Sequence, residues 1–348
     1  MSVFSKISIV IPTHNRPQYL ARAIEYWNNF DVGLYITDSS KKYSKPENFN
    51  GIYFHTPNQN FAEKLYFTLK EIKTPYVALC ADDDFTSSSG LISSIKYLDK
   101  NKDFSSAQGR MVAFYLDNQN SVQLYPAYTS AKNYEINHQK ASVRIQQSMS
   151  EYMHIFYAVH RIESLRESFK LSKEHLCSRG WEIGVSLISS LYGKHKTLPY
   201  FYFARDASPP NGIPNLNPYI GNWIREPNNQ EGLRRWRNKF AQMYAIHENQ
   251  NITIGEIVFD EAIKSYVKPQ KNLKRKIKAN TPFSLIKLFH KFKEKFQTSH
   301  YHVSLISPED CSKLRQDLHN EYGYPWSDEI AKEDWKLIES IIKVHKIH

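Results

Sequence analysis

Apolar positions in the first hundred residues change period repeatedly, from runs that suit a buried strand to spacings that suit one face of a helix. The run 7–11 (Ile-Ser-Ile-Val-Ile) predicts a strand that stops at Pro12, and Thr13, His14, Asn15 and Arg16 form a polar loop. Pro17 then suits the first turn of a helix whose core face is Leu20, Ala23, Ile24 and Trp27. Strands follow at 33–37, ending on Asp38, and at 52–56. Phe61, Leu65, Leu69 and Ile72 mark a second amphipathic helix, broken by Thr74 and Pro75. The run 76–80 (Tyr-Val-Ala-Leu-Cys) is apolar on both faces, which predicts a central strand delivering Asp82, Asp83 and Asp84 to the C-terminal edge of the sheet. Leu91, Ile92, Ile95 and Leu98 predict a helix over 90–99.

Strands alternating with helices predict an α/β fold, a Rossmann-like, mainly parallel central sheet flanked by helices. Further on, a helix is expected over 181–192, closed by Gly193, and a strand over 197–204. Residues 208–218 are dense in proline, asparagine and glycine and read as a linker, so a boundary is drawn there. Residues 1–215 are expected to form the catalytic domain. Residues 216–348 are expected to be a mostly helical, basic extension making acceptor, membrane or oligomer contacts. No internal repeat is visible.

Composition narrows the class. Apolar residues make up 41% and aromatics 14% of 348 residues, too much core-forming material for a disordered chain. A net charge of +11 calls for an anionic partner without choosing among nucleotide, lipid surface, nucleic acid and acidic glycan. Cys80, Cys177 and Cys311 are too far apart for paired-thiol or zinc spacing, which suits a reducing compartment. The N-terminus has too short an apolar stretch for a signal peptide, and no run is long enough to span a bilayer. A cytoplasmic protein is expected, with any membrane contact peripheral and at the inner face. The stretch 271–278, followed by Phe283 to Phe296 with apolar residues among lysines, is a basic amphipathic segment. It suits either an anionic lipid surface or a solvated helix packed on the catalytic domain, with equal weight.

Consecutive carboxylates leaving a buried strand repel one another, and a divalent cation resolves the conflict. Mg²⁺ or Mn²⁺ would suit these hard oxygen ligands and would bridge the phosphates of a nucleotide diphosphate. The competing explanation is a solvated acidic turn capping the next helix.

The opening Ile-Ser-Ile-Val-Ile-Pro-Thr-His-Asn-Arg-Pro at 7–17, the strand ending in Asp38, and Tyr-Val-Ala-Leu-Cys-Ala-Asp-Asp-Asp-Phe at 76–85 resemble the family 2 glycosyltransferases of GT-A fold. The resemblance covers the first hundred residues and, more loosely, the next hundred. It implies that Thr13, Asn15 and Arg16 border a nucleotide and that Asp38 hydrogen-bonds its base or ribose. It further implies that Lys64 stands where the family has a basic residue facing the nucleotide, a solvated lysine being the alternative. Ala81 falls where the family's first Asp commonly stands. Asp82 is therefore assigned to ribose or metal, and Asp83 and Asp84 to metal ligation, their order left open. An inverting transfer needs a general base, and Glu182, following Trp181, resembles the family's catalytic carboxylate but lacks its usual Asp partner. Trp181 is either an acceptor-stacking ring or core. Arg161 and Arg205 touch phosphate or an acidic sugar, or are ordinary surface or ion-pairing arginines. His14 is singled out by its place in the first loop, whereas His154, His160, His300, His302, His345 and His348 are taken as non-metal positions.

The function implied is transfer of a sugar from a nucleotide-diphosphate sugar, a UDP-sugar first, to a glycan or lipid-linked acceptor. The setting implied is bacterial surface polysaccharide synthesis, such as capsule or lipopolysaccharide, with metal assistance. A retaining GT-A glycosyltransferase and a non-catalytic binder of nucleic acid or another anionic polymer are the alternatives, although no nucleic-acid motif is present and no nucleic acid is expected. A nucleotidyltransferase would carry a glycine-rich loop after the first strand, and 12–16 contains no glycine.

Overall fold

The computed structural model describes residues 2–116, 122–127, 134–173, 178–207, 223–224, 226–267, 301–303 and 330–345. The predicted linker at 208–218, the basic segment at 271–296, Cys177, Cys311, His300 and His348 lie outside them.

Strand β1 (Ile7–Thr13) lies between β2 (Gly33–Asp38) and β4 (Tyr76–Leu79), parallel to both, and β2 is parallel to β3 (Ile52–His55). The first four strands thus form the order β3-β2-β1-β4. Register sets the site: Thr13 is level with Asp38, Asp38 with His55, and Val10 with the last residue of β4. β1 runs through Pro12, where the sequence predicts a stop. Val10 accepts from the Cys80 amide on the β4 side, and alternation turns Pro12 to that same side, where β4 has already ended. Its missing N–H therefore breaks no ladder bond.

Apolar side chains of β1 and β4 fill both faces, which explains the unbroken hydrophobic runs. Ile7, Ile9, Ile11 and Ala78 pack on one side with residues of α1 (Pro17–Trp27) and α3 (Ser88–Lys100). Val10, Val77 and Leu79 pack on the other with α2 (Phe61–Glu71) and α5 (Ile162–Ser172). α2 opens with a capping box between Asn60 and Glu63.

Beyond β4 the sheet continues through β9 (Val159–Arg161), β6 (Phe104–Leu116), β7 (Val122–Ala127) and β11 (Tyr301–Val303), joined by antiparallel pairings. The long β10 (Lys194–Asp206) runs parallel to β6 and also pairs with β5 (Phe85–Thr86) and β8 (Glu135–Ile136), completing eleven described strands. Between β8 and β10 lie α4 (Ala141–Ser150), α5 and α6 (Ser178–Tyr192). Gly193 ends α6 as predicted, but for a packing reason. A Cβ there would lie 2.7 Å from the carbonyl oxygen of Asp103 and 2.8 Å from the amide of Ser105.

The later described residues are largely helical. α7 (Gln230–Glu248) and α8 (Ile252–Val267) pack Trp236, Phe240 and Phe259 against α4 and α6. α9 (Ile330–Val344) returns to the first part of the chain: Trp335, Ile338, Ile341 and Ile342 join the core beside α1 and α3. α9 thus packs into a core otherwise built from earlier parts of the chain. Among the described residues no helix is long and apolar enough to cross a membrane.

Candidate active site at the ends of β1, β2 and β4

Three loops converge where the parallel strands end. Asn15, in the left-handed region at φ 54°, turns the first loop so that its amide donates to the Ser40 hydroxyl at 2.7 Å. The His14 ring meets the Ser39 hydroxyl at 3.1 Å. The buried Lys64 amine donates to the Thr13 carbonyl at 2.7 Å and to Ser39 at 3.0 Å, so Lys64 is not a solvated lysine. Burial lowers it to about 8, even though the charges of Asp38 and Asp82 oppose the shift.

Asp38 is buried and saturated. Its oxygens accept from the Ser40 amide at 2.7 Å, the Ser40 and Tyr53 hydroxyls at 2.5 Å each, and the Ser44 hydroxyl at 3.3 Å. Burial alone would raise its pKa, but these donors favour the carboxylate and hold it below the ordinary value. Asp38 thus shapes the loop after β2 and orients Tyr53.

The acidic run divides into layers. Asp82, buried, accepts from the Thr13 hydroxyl at 2.7 Å and from Arg16 Nη1 at 2.7 Å. Arg16 Nη2 reaches Asp83 at 2.7 Å, and its guanidinium lies 4.0 Å from the Tyr19 ring centroid. Burial raises Asp82 to about 6 despite Arg16. Although partial burial alone would lower the Arg16 pKa, both carboxylates hold its guanidinium firmly charged. Asp84 faces inward, where its carboxylate accepts the Asp206 amide at 2.9 Å and burial pushes its pKa up. Below lies a pair the sequence analysis does not single out. Arg22, almost fully buried, donates to Asp206 at 2.9 Å and to the Asp83 carbonyl at 2.7 Å. The signal for it is the helical spacing of Tyr19, Arg22 and Tyr26, a stripe beside the apolar face of α1.

Glu182 stands in the first half of α6 with its carboxylate 3.8 Å from His154 Nε2. The His154 ring lies nearly parallel to Tyr157 at 5.4 Å, and Tyr157 stacks on Phe203 at 4.8 Å. Burial raises the Tyr157 hydroxyl, and the charges of Asp84, Asp83 and Glu182 raise it further, so the acidic run and Glu182 act on one ring. Arg205, exposed at the end of β10, acts electrostatically on Asp84 from the same side. Trp181, half-buried, stacks on Phe61 at 4.7 Å. Arg161 is structural too, donating to the carbonyls of Phe104, Leu98 and Asn101. His160 is buried against Ile155 and Ser189 and is lowered by burial to about 4; His345 pairs with Glu25.

Among the described residues no group of three or more histidine, cysteine or acidic side chains could hold a metal ion. The donor set still suits a cation held mainly by phosphate and water, since Mg²⁺ commonly takes only one or two protein carboxylates. Asp83, partly exposed with one oxygen on Arg16, fits that role, whereas Asp82 is engaged on both oxygens and Asp84 faces inward.

Residues 8–162 match the Glycosyl transferase family 2. The matched segment, a little under half of the chain, is similar to that family. That segment runs from β1 to the start of α5 and holds Thr13, Asn15, Arg16, Asp38, Lys64 and the acidic run; Glu182 lies after it. No curated protein sequence matches the chain. A crystal structure of S. aureus TarS 1-349 in complex with UDP-GlcNAc is similar in fold, with TM-score 0.51 and 11% identity over 98% of this chain and 91% of that one. The same fragment in complex with UDP gives TM-score 0.48 at 10% identity over the same shares. A longer TarS structure gives 0.43 at 11% identity, with 75% of this chain covered and 54% of that one. The chain thus spans about half of the longer TarS chain. At these identities the likeness is one of fold.

Proposed function

We propose that the chain transfers a sugar from a nucleoside diphosphate sugar, UDP-GlcNAc or a related UDP-sugar, to a hydroxyl of a glycan or lipid-linked acceptor in surface-polysaccharide assembly. The observation that carries this is the junction of Arg16 with Asp82 and Asp83, beside Thr13 and Asp38, where parallel strands end. An exposed-side guanidinium bridging two carboxylates is a cation already poised beside the place where a diphosphate would arrive. The loop after β2, shaped by Asp38, would take the base and ribose. Mn²⁺ or Mg²⁺, held by Asp83 and the diphosphate oxygens, would neutralise charge on the leaving group. Asp84, facing inward, would brace the loop.

In an inverting transfer, the acceptor oxygen attacks the anomeric carbon and its proton passes to Glu182. The bond from that carbon to the β-phosphate oxygen breaks, and the electron pair leaves with the diphosphate. His154 beside Glu182 and the ring stack behind it would hold the carboxylate in place. The protein would work at the cytoplasmic face of the cell membrane, where such acceptors are assembled.

Calorimetric titration of UDP, GDP, CDP and dTDP, with and without Mn²⁺, into wild type and Asp83→Ala tests the proposal. We expect UDP to bind with metal, and the metal-dependent part of the affinity to vanish in the variant. Failure of every nucleotide to bind the wild type would overturn it.

A further inference from the structure

Lys64 is more buried than a ligand-facing lysine needs to be. It projects from α2 beneath the site, about 3% exposed, and ends on the Thr13 carbonyl and the Ser39 hydroxyl. Thr13 closes β1 and Ser39 follows β2, and the Ser39 amide already donates to the Thr13 carbonyl. The Thr13 hydroxyl passes the connection on to Asp82, and the Ser39 hydroxyl passes it on to His14. One ammonium thus joins the ends of two strands and, through Thr13, the acidic run. A neutral side chain would spare the desolvation cost of a buried charge, so the position is spent on something beyond packing.

We propose that Lys64 is a positioning residue: without touching the nucleotide, its ammonium clips the loops after β1 and β2 together at the spacing that admits a nucleoside diphosphate. The inference rests on the nucleotide-sugar reading above.

The charges around the amine give the clip a pH dependence. Asp38 and Asp82 face it as carboxylates, Arg16 stands beyond Asp82, and His14 and His55 reach the same loops through Ser39 and Ser40. Burial brings Lys64 to about 8, so the ammonium dominates below that value and is lost above it. A bound diphosphate adds negative charge nearby and favours the protonated form. Binding above about pH 8 therefore takes up a proton, and affinity falls by up to about tenfold for each further pH unit. Stability of the unliganded fold runs the other way. The folded pKa lies below the unfolded one, so between about pH 8 and pH 10 the unfolded chain binds more protons and this group's contribution to stability rises. Lost affinity in that window is then not unfolding.

The test is calorimetric titration of UDP with Mg²⁺ into wild type and Lys64→Met from about pH 6.5 to about pH 9.5, in two buffers of different ionisation enthalpy. Wild-type affinity should fall through the alkaline range with uptake of about one proton, while Lys64→Met binds about tenfold more weakly at neutral pH and shows no alkaline fall. Equal affinity and equal pH slope in the two proteins would overturn the proposal and leave the nucleotide reading intact. Absence of UDP binding by wild type at neutral pH would overturn both. Should Lys64→Met not fold, Ser39→Ala removes one of the two acceptors, and a several-fold loss of UDP affinity is expected; wild-type affinity in that variant would overturn the clip.

Discussion

Asp82 and Asp83 are visible in the sequence because carboxylates ending a buried strand are conspicuous; what the sequence conceals is that Arg16 already neutralises them. Arg22 and Asp206 escape a linear reading altogether. They are 184 residues apart and meet only because the end of β10 comes down beside α1. A buried pair of this kind contributes little net stability but is costly to break on one side. Asp206→Ala leaves the Arg22 guanidinium buried without its carboxylate, so chemical denaturation should show a loss of about 3–5 kcal/mol. A loss within about 0.5 kcal/mol would mean that the Asp83 carbonyl alone satisfies the arginine. Lys64 teaches the same lesson in reverse. Its helical position allowed a solvated lysine, and only the register of β1 against β2 places a carbonyl and a hydroxyl over its amine.

At the scale of elements, β1, β2, β4 and the first three helices are legible because each one's period matches its surroundings. Apolar runs are strands covered on both faces, and the spaced apolar positions of α1, α2 and α3 are single faces on the sheet. Extents are less legible, since α3 begins at Ser88 rather than at residue 90. Its first turn is stabilised from outside: the Asp334 carboxylate of α9 accepts from the amides of Ser88 and Ser89 at 3.2 and 3.1 Å and from both hydroxyls. Ser87 supplies the local cap through the Gly90 amide. Because α3 follows the acidic run directly, this distant carboxylate steadies a segment next to the site. Asp334→Ala should lower stability by about 1–3 kcal/mol, measured by thermal unfolding, with Asp334→Asn losing less. An unchanged melting temperature in Asp334→Ala would show that α9 docks through Trp335 and its apolar neighbours alone.

Across the whole molecule, the parallel half of the sheet is legible strand by strand, whereas of the other half the sequence discloses Glu182, its helix and part of β10 but not their partners. β6 and β10 are each thirteen residues long, and β10 pairs with three other strands, so no single burial period runs along it. Nor does a helical pattern at 330–344 disclose that it packs against the first helix of the chain. The second wall of the site, with Glu182, His154 and Tyr157, comes from this less legible half. In the proposed reaction the nucleotide would lie against the parallel sheet, and this wall would supply the acceptor-side carboxylate. The most direct test is a crystal structure with UDP-GlcNAc and Mg²⁺. The diphosphate should lie against Arg16, with Asp83 turned to the cation, the base in the loop after Asp38 and the sugar toward Glu182. A nucleotide bound elsewhere, with Arg16 still locked across Asp82 and Asp83, would contradict it.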